Sequence, residues 1–310
     1  MPPSPRTAAR RIWIRFLLYP AHTLPTAAGP VLVAAGLAVR DDVFAPLPLA
    51  LALLGSWLIH VAGVLADNHE LLRRHHAVPE HPELLCALRD GTLTLRQLRG
   101  VIVACLVAAV LAGIYPVLLA GIPALVVGAV GVLASLGYAS GPRPYAALGL
   151  ADPIFLLMFG VVAVVGSYAV QAAAVRPDFA WTALPHTAYV VGLPVGCLIT
   201  AVLVIDDIRD RHFDADKRWR TTAARFGLTT SRIEWVALAG LAYAMPLWFW
   251  LGLGFGPLVL LPWLTAPAAF VLGRAVCRFD STADLLRMTP RTSILSVAFA
   301  GLLGVGLAAG

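Results

Sequence analysis

Residues 183–214 read ALPHTAYVVGLPVGCLITAVLVIDDIRDRHFD. From Ala183 to Ile205 the run carries no charged residue, and at Asp206 charge begins abruptly. A helix of about 20 mostly apolar residues crosses the hydrocarbon core of a bilayer, so this run reads as a membrane span ending at a charged surface. Working outward, eight more such runs appear, at Leu24–Val39, Phe44–Ala66, Leu98–Leu119, Ile122–Ala139, Leu148–Ala174, Ile233–Leu251, Pro257–Val276 and Ser293–Ala309. The prediction is an all-α, polytopic membrane protein with nine transmembrane helices. The 310 residues form a single integral-membrane domain in this reading.

Composition agrees. The chain is 59% hydrophobic and 13% charged, with a mean hydropathy of +0.82, whereas a soluble domain carries about 25% charged residues. The 23 prolines suit membrane helices, whose neighbours re-satisfy the backbone groups that proline frees. Cys86, Cys105, Cys197 and Cys277 have no paired spacing, so neither a disulfide framework nor a zinc site is expected. With the N-terminus in the cytoplasm, 21 of the 23 basic residues fall in cytoplasmic segments, from Arg6, Arg10, Arg11 and Arg15 onward, and only Arg40 and Arg176 fall outside. The positive-inside rule thus gives a cytoplasmic N-terminus in the inner (plasma) membrane. No cleavable signal peptide is expected, because no small-residue cleavage site follows the first apolar run. The net charge of +6 is a topology signal, and no nucleic-acid partner is expected.

Two charged segments, 67–97 and 206–232, stand out as cytoplasmic active-site loops, each opening with acidic residues at the end of an even-numbered span. Asp206, Asp210 and Asp214 are four apart and share one helical face. Like charges in a row repel unless a cation sits against them. Mg²⁺ suits such a row, since it takes one or two carboxylates, keeps waters and bridges to phosphate oxygens. Lys217, Arg218, Arg220 and Arg225 follow as phosphate partners. The plainer alternative is a solvated, ion-paired segment in which Arg209 and Arg211 neutralise the aspartates.

The stretch from Asp206 to Gly227, DDIRDRHFDADKRWRTTAARFG, resembles the second aspartate motif of the UbiA superfamily of intramembrane prenyltransferases. It is most similar to the form in 1,4-dihydroxy-2-naphthoate polyprenyltransferases of menaquinone biosynthesis. Residues 141–171, GPRPYAALGLADPIFLLMFGVVAVVGSYAVQ, and 23–38, TLPTAAGPVLVAAGLA, resemble the same subgroup, and Gly91-Thr92-Leu93-Thr94 fits its turn before the third helix. The resemblance implies helices around a central cavity, with two acidic motifs facing across its cytoplasmic mouth. They would hold Mg²⁺ and a prenyl diphosphate, whose tail leaves toward lipid.

The first motif departs from the pattern. Asp67-Asn68 stand where the family has Asn-Asp, Leu71 stands at the next Asp and His75 at the last. Asp67 and Glu70 are the acids near enough to substitute. In the second motif, Trp219 stands at the family's Lys and Arg218 at its Gly. The resemblance therefore assigns metal binding to Asp206, Asp210 and Asp214 with Asp67 and Glu70. It assigns diphosphate binding to Asn68, Arg74, Arg209, Lys217 and Arg220, and catalytic or acceptor-binding roles to Tyr138, Tyr145, Asp152 and Tyr168. The histidines at 69, 75 and 76 lack zincin spacing.

The implied reaction is ionisation of an allylic diphosphate, with the cation captured by an electron-rich aromatic acceptor. Charge near the leaving group and an apolar, water-free cavity are what that chemistry requires. Two alternatives stay open at this stage: terpene cyclisation of the prenyl diphosphate without an acceptor, and a non-catalytic isoprenoid-binding protein. A transporter would show internal repeats with broken helices in matching places, which the sequence lacks.

Overall fold

The structure is a computed structural model that describes residues 23–74 and 82–310. The early arginines at 6, 10, 11 and 15, and His75 and His76, lie outside the described residues. Ten helices follow in order, and no strand occurs among the described residues: α1 Leu24–Arg40, α2 Pro46–Arg74, α3 Pro82–Arg89, α4 Leu95–Ala120, α5 Ile122–Gly137, α6 Ala151–Val175, α7 Leu193–Asp216, α8 Thr222–Gly252, α9 Pro257–Arg278 and α10 Thr282–Ala308. α9 opens as a 3₁₀ run over Pro257–Thr265, and a single turn at Thr187–Val190 leads into α7. Seven helices are long and apolar enough to cross a membrane, and α1 and α5 are shorter apolar helices.

The charged segments expected as loops are largely helical. α2 runs past Ala66 to Arg74, α7 runs past Ile205 to Asp216, and α3 and the start of α8 fill much of the remainder. The end of an apolar run marks where lipid ends, and the helix continues because its charged turns pair internally. Arg73 and Arg74 reach Glu70, Arg209 reaches Asp206, and Lys217 reaches Asp214, all at three- or four-residue spacing.

α7 is the central post. Its apolar window is 83% buried, against 17% for α2 and for α4, so protein surrounds α7 while α2 and α4 face outward. α8 and α10 pack along α7, α1 packs on α10, and α4 packs on α2. Glycines set the closest contacts: Gly36 of α1 lies against the Gly304 backbone of α10, and a Cβ on either would enter the other chain segment. Gly160 of α6 meets Gly196 of α7 at a π turn over Met158–Val162. π turns inside α-helices gather at functional sites, and Met158, Phe159 and Val162 all line the central cavity. Gly227 breaks α8 one turn after its start with φ 84°, a conformation that glycine adopts without a Cβ clash.

Candidate active site

The charged ends of α2 and α7 face each other across a cavity of about 950 Å³. Asp206, Asp207, Asp210 and Asp214 line it from α7, and Asp67, Asn68 and Leu71 line it from α2. Arg209 lies between the first two members of the row. Its Nη1 donates to Asp206 Oδ1 at 2.6 Å and its Nη2 to Asp210 Oδ2 at 2.8 Å. Thr289 of α10 also donates to Asp206 Oδ1, at 2.8 Å. Asp214 is more enclosed: Lys217 Nζ lies 3.0 Å from its Oδ1, and Thr221, the N-cap of α8, donates to its Oδ2 at 3.2 Å. The ammonium sits over the Phe213 and Trp219 rings at 4.2 and 3.8 Å, so Trp219 shapes the Lys217 site.

A row of aromatic rings walls the cavity. Centroid separations are 5.7 Å for Tyr145–Tyr138, 5.6 Å for Tyr138–Phe155, 5.5 Å for Phe155–Phe159 and 6.4 Å for Phe159–His60. Tyr138 and Tyr145 lie in the connection after α5. Burial raises the Tyr145 hydroxyl above the ordinary phenol range. On the α4 and α5 side the lining includes Val110, Ile114, Leu118, Leu125 and Leu133, whose surfaces are also exposed on the outside of the bundle.

Several expected residues lie elsewhere. Glu70 does not line the main cavity: its carboxylate is taken by Arg73 at 2.7 Å and Arg74 at 2.8 Å, with His69 at 3.3 Å. Glu70 and Arg74 border a separate recess of about 150 Å³ shared with Asp67, Lys217 and Trp219. Tyr168 donates to Asp41 Oδ2 at 2.7 Å. Asp41 caps the far end of α1, where α2 begins at Pro46, and from there to Asp67 the α2 axis rises about 30 Å. Tyr168 is not among the residues that line the cavity. Asp152 is drawn away from the cavity wall, its Oδ2 accepting from Thr222 at 3.1 Å. Arg220 is exposed, its amide donating to Ala147 O at 3.1 Å, and it does not line the cavity.

The structure adds residues that the sequence reading passed over. Thr289 reaches the row from a distant helix. Phe155 and Phe159, four apart on α6, and His60, seven residues before Asp67 on α2, join the wall. Helical spacing was the available signal for the two phenylalanines.

The donors of α7 fit a divalent cation. No cluster of three or more acidic, histidine or cysteine ligands occurs among the described residues. Mg²⁺ bridging to phosphate needs only one or two carboxylates, and Asp206 and Asp210 already hold a guanidinium between them. Asp207, which is 5% exposed, has a buried Oδ2 with no partner among the described residues. On α2, Asp67 is the one acid lining the main cavity, followed a turn later by the apolar Leu71. Asn68, 4% exposed, holds a buried Nδ2 with no acceptor among the described residues, which suits an anionic oxygen.

A multi-pass helical bundle that faces acidic helix ends across an apolar, aromatic-walled cavity defines an intramembrane prenyltransferase. The chain belongs to the UbiA prenyltransferase family, whose profile matches residues 23–289. It is 29% identical over 253 residues to the 1,4-dihydroxy-2-naphthoate octaprenyltransferase of Escherichia coli K12, covering 76% of this chain and 79% of that protein. It is 30% identical over 249 residues to the enzyme of the same name from Mycobacterium tuberculosis, covering 77% and 81%. Among solved structures, a UbiA homolog from Aeropyrum pernix K1 superposes with a TM-score of 0.67 at 16% identity, over 91% of this chain and 96% of that one. A UbiA homolog from Archaeoglobus fulgidus bound to GPP and Mg2+ gives 0.52 at 13% identity, over 93% and 99%. The protein transfers prenyl groups.

Proposed function

We propose that this chain moves a prenyl group from an allylic diphosphate to a dihydroxynaphthoate-like aromatic acceptor, inside the membrane and with Mg²⁺. The observation that carries the reading is the α7 acid row opening onto an apolar cavity walled by Tyr138, Tyr145, Phe155 and Phe159. The acceptor follows from relatives named as 1,4-dihydroxy-2-naphthoate octaprenyltransferases. Mg²⁺ is supported by the donor set and by a fold neighbour bound to that ion and GPP. Nine crossings, a cytoplasmic N-terminus and a site opening to the cytoplasm of the inner membrane complete the proposal, from the distribution of basic residues.

Asp206 and Asp210 would hold the metal, with Asp214 and Asp67 at its flanks. When bound, Mg²⁺ would neutralise charge developing on the departing diphosphate. Lys217 and the Asn68 amide present donors toward the same oxygens, and Arg209, moving off the carboxylates, supplies a further cation. Tyr138 and Phe155, which line the cavity below the row, are the aromatic groups that would stabilise the carbon that becomes cationic. The apolar lining excludes water that would otherwise capture it. The prenyl tail leaves between α4 and α5, where cavity-lining side chains are also exposed outward.

The test is product analysis of purified protein with Mg²⁺ and prenyl diphosphates of several lengths, with and without dihydroxynaphthoate. A prenylated naphthoid product that requires both substrates supports the proposal. A hydrocarbon or alcohol formed without acceptor would instead establish cyclisation.

A further inference from the structure

Thr289 reaches the α7 row from α10 and is not itself among the residues that line the cavity. It begins a buried polar face of α10 that continues through Thr292, Ser293 and Ser296. Valine would fill the space of a buried threonine without taking a hydroxyl out of water, which is costly unless that hydroxyl is hydrogen-bonded. Both serines bond back to α10 itself: Ser293 Oγ donates to Thr289 O at 3.1 Å and Ser296 Oγ to Ser293 O at 2.8 Å. Thr289 departs from that habit. Its Oγ1 lies 2.8 Å from Asp206 Oδ1 but 3.5 Å from Leu285 O of its own helix, so its one proton goes to the nearer, carboxylate oxygen.

Asp206 Oδ1 accepts a second bond, from Arg209 Nη1 at 2.6 Å, while Oδ2 has no partner among the described residues. The two donors differ in what they can hold. Arg209 sits at the end of a long side chain on the same helix and is shared with Asp210. Thr289 is β-branched and buried, on a separate helix that Leu285, Leu295 and Phe299 anchor in the core, so its hydroxyl is fixed relative to α7. We infer that Thr289 is a positioning residue for the metal: by holding Oδ1 of Asp206 it leaves Oδ2 for the cation, and it keeps the carboxylate in place when Arg209 moves to the diphosphate. The inference rests on the reading above that Asp206 holds Mg²⁺, and adds the group that orients it. Partners that hydrogen-bond a ligating carboxylate fix its geometry, and losing one weakens metal binding by about 10–100-fold.

The experiment titrates detergent-solubilised protein with Mn²⁺, standing in for Mg²⁺, and reads the unbound ion by electron paramagnetic resonance, with and without geranyl diphosphate and with no aromatic acceptor. Thr289→Val keeps the volume and removes the donor, and Mn²⁺ binding should weaken about tenfold or more. Thr289→Ala carries the same expectation, so either variant reads the loss if the other fails to fold. Thr289→Ser keeps the hydroxyl and should restore binding close to wild type. Thr292→Val removes a buried hydroxyl three residues along α10 that has no partner among the described residues, and its Mn²⁺ affinity should stay at the wild-type value. Thermal unfolding reports that each variant folds. Wild-type affinity in Thr289→Val or Thr289→Ala, a loss in Thr292→Val as large as theirs, or no rescue by Thr289→Ser overturns the inference, and the metal reading stands if Asp206→Asn still weakens binding. Wild type that binds no Mn²⁺ under either condition, or Asp206→Asn that binds it as tightly as wild type, refutes the metal reading and the inference with it.

Discussion

Asp214→Asn should destabilise the protein far more than Asp210→Asn, although the two residues belong to one row. The Asp214–Lys217 pair is enclosed, with side-chain exposures of 6% and 9% and a separation of 3.0 Å. Asparagine keeps the shape and an acceptor for Thr221, so the substitution removes only the charge. Lys217 would then sit against Phe213 and Trp219 without its counter-ion. Removing one member of a buried pair costs about 3–5 kcal/mol, and the two rings retain about 1 kcal/mol of cation–π attraction. The net expectation is about 3 kcal/mol, or a fall in Tm of about 6 °C for a chain of this size. Asp210 shares Arg209 with Asp206 and is 25% exposed at its side chain, so its neutralisation leaves the guanidinium paired. Thermal unfolding in one detergent, followed by tryptophan fluorescence, reads both variants. The double variant Asp214→Asn/Lys217→Met should recover most of the loss, because no orphaned charge remains. An Asp214→Asn protein that melts within a degree of wild type would refute the reasoning.

Glu70→Gln should leave prenyl transfer within about threefold of wild type, since its exposed arginine pairs are worth under about 1 kcal/mol. Asp67→Asn should lower transfer, and the metal titration of the two variants locates the difference; loss of metal affinity in Glu70→Gln would contradict the geometry. Tyr168→Phe breaks the bond to Asp41 and should cost about 1–2 kcal/mol of stability. Its KM for the aromatic acceptor should stay unchanged, and a rise in that KM would return Tyr168 to the site.

The α7 site was the most legible part of the chain. An uncharged run that ends in aspartates at four-residue spacing fixes both a span and a one-sided carboxylate row, because helical period is local information. What occupies the row was less legible. Arg209 lies in the same motif, yet its reach to both Asp206 and Asp210 depends on rotamers that sequence does not specify. Glu70 has arginines three and four positions ahead, and its carboxylate pairs with both of them. Tyr168 fell outside what sequence conveys, because its partner Asp41 is 127 residues away at the other end of the bundle. Thr289 is 83 residues from Asp206 for the same reason. His60 was hidden by its apolar context, where it reads as one polar interruption in a span.

The central claim is that the α7 row drives ionisation of an allylic diphosphate in a metal-dependent way. Diphosphate release from a prenyl diphosphate with dihydroxynaphthoate, measured for wild type and Asp210→Ala with Mg²⁺ and with EDTA, addresses it most directly. The account predicts release from wild type with Mg²⁺, none with EDTA, and a loss of about 10²-fold or more in Asp210→Ala. Equal release from wild type and Asp210→Ala would contradict it.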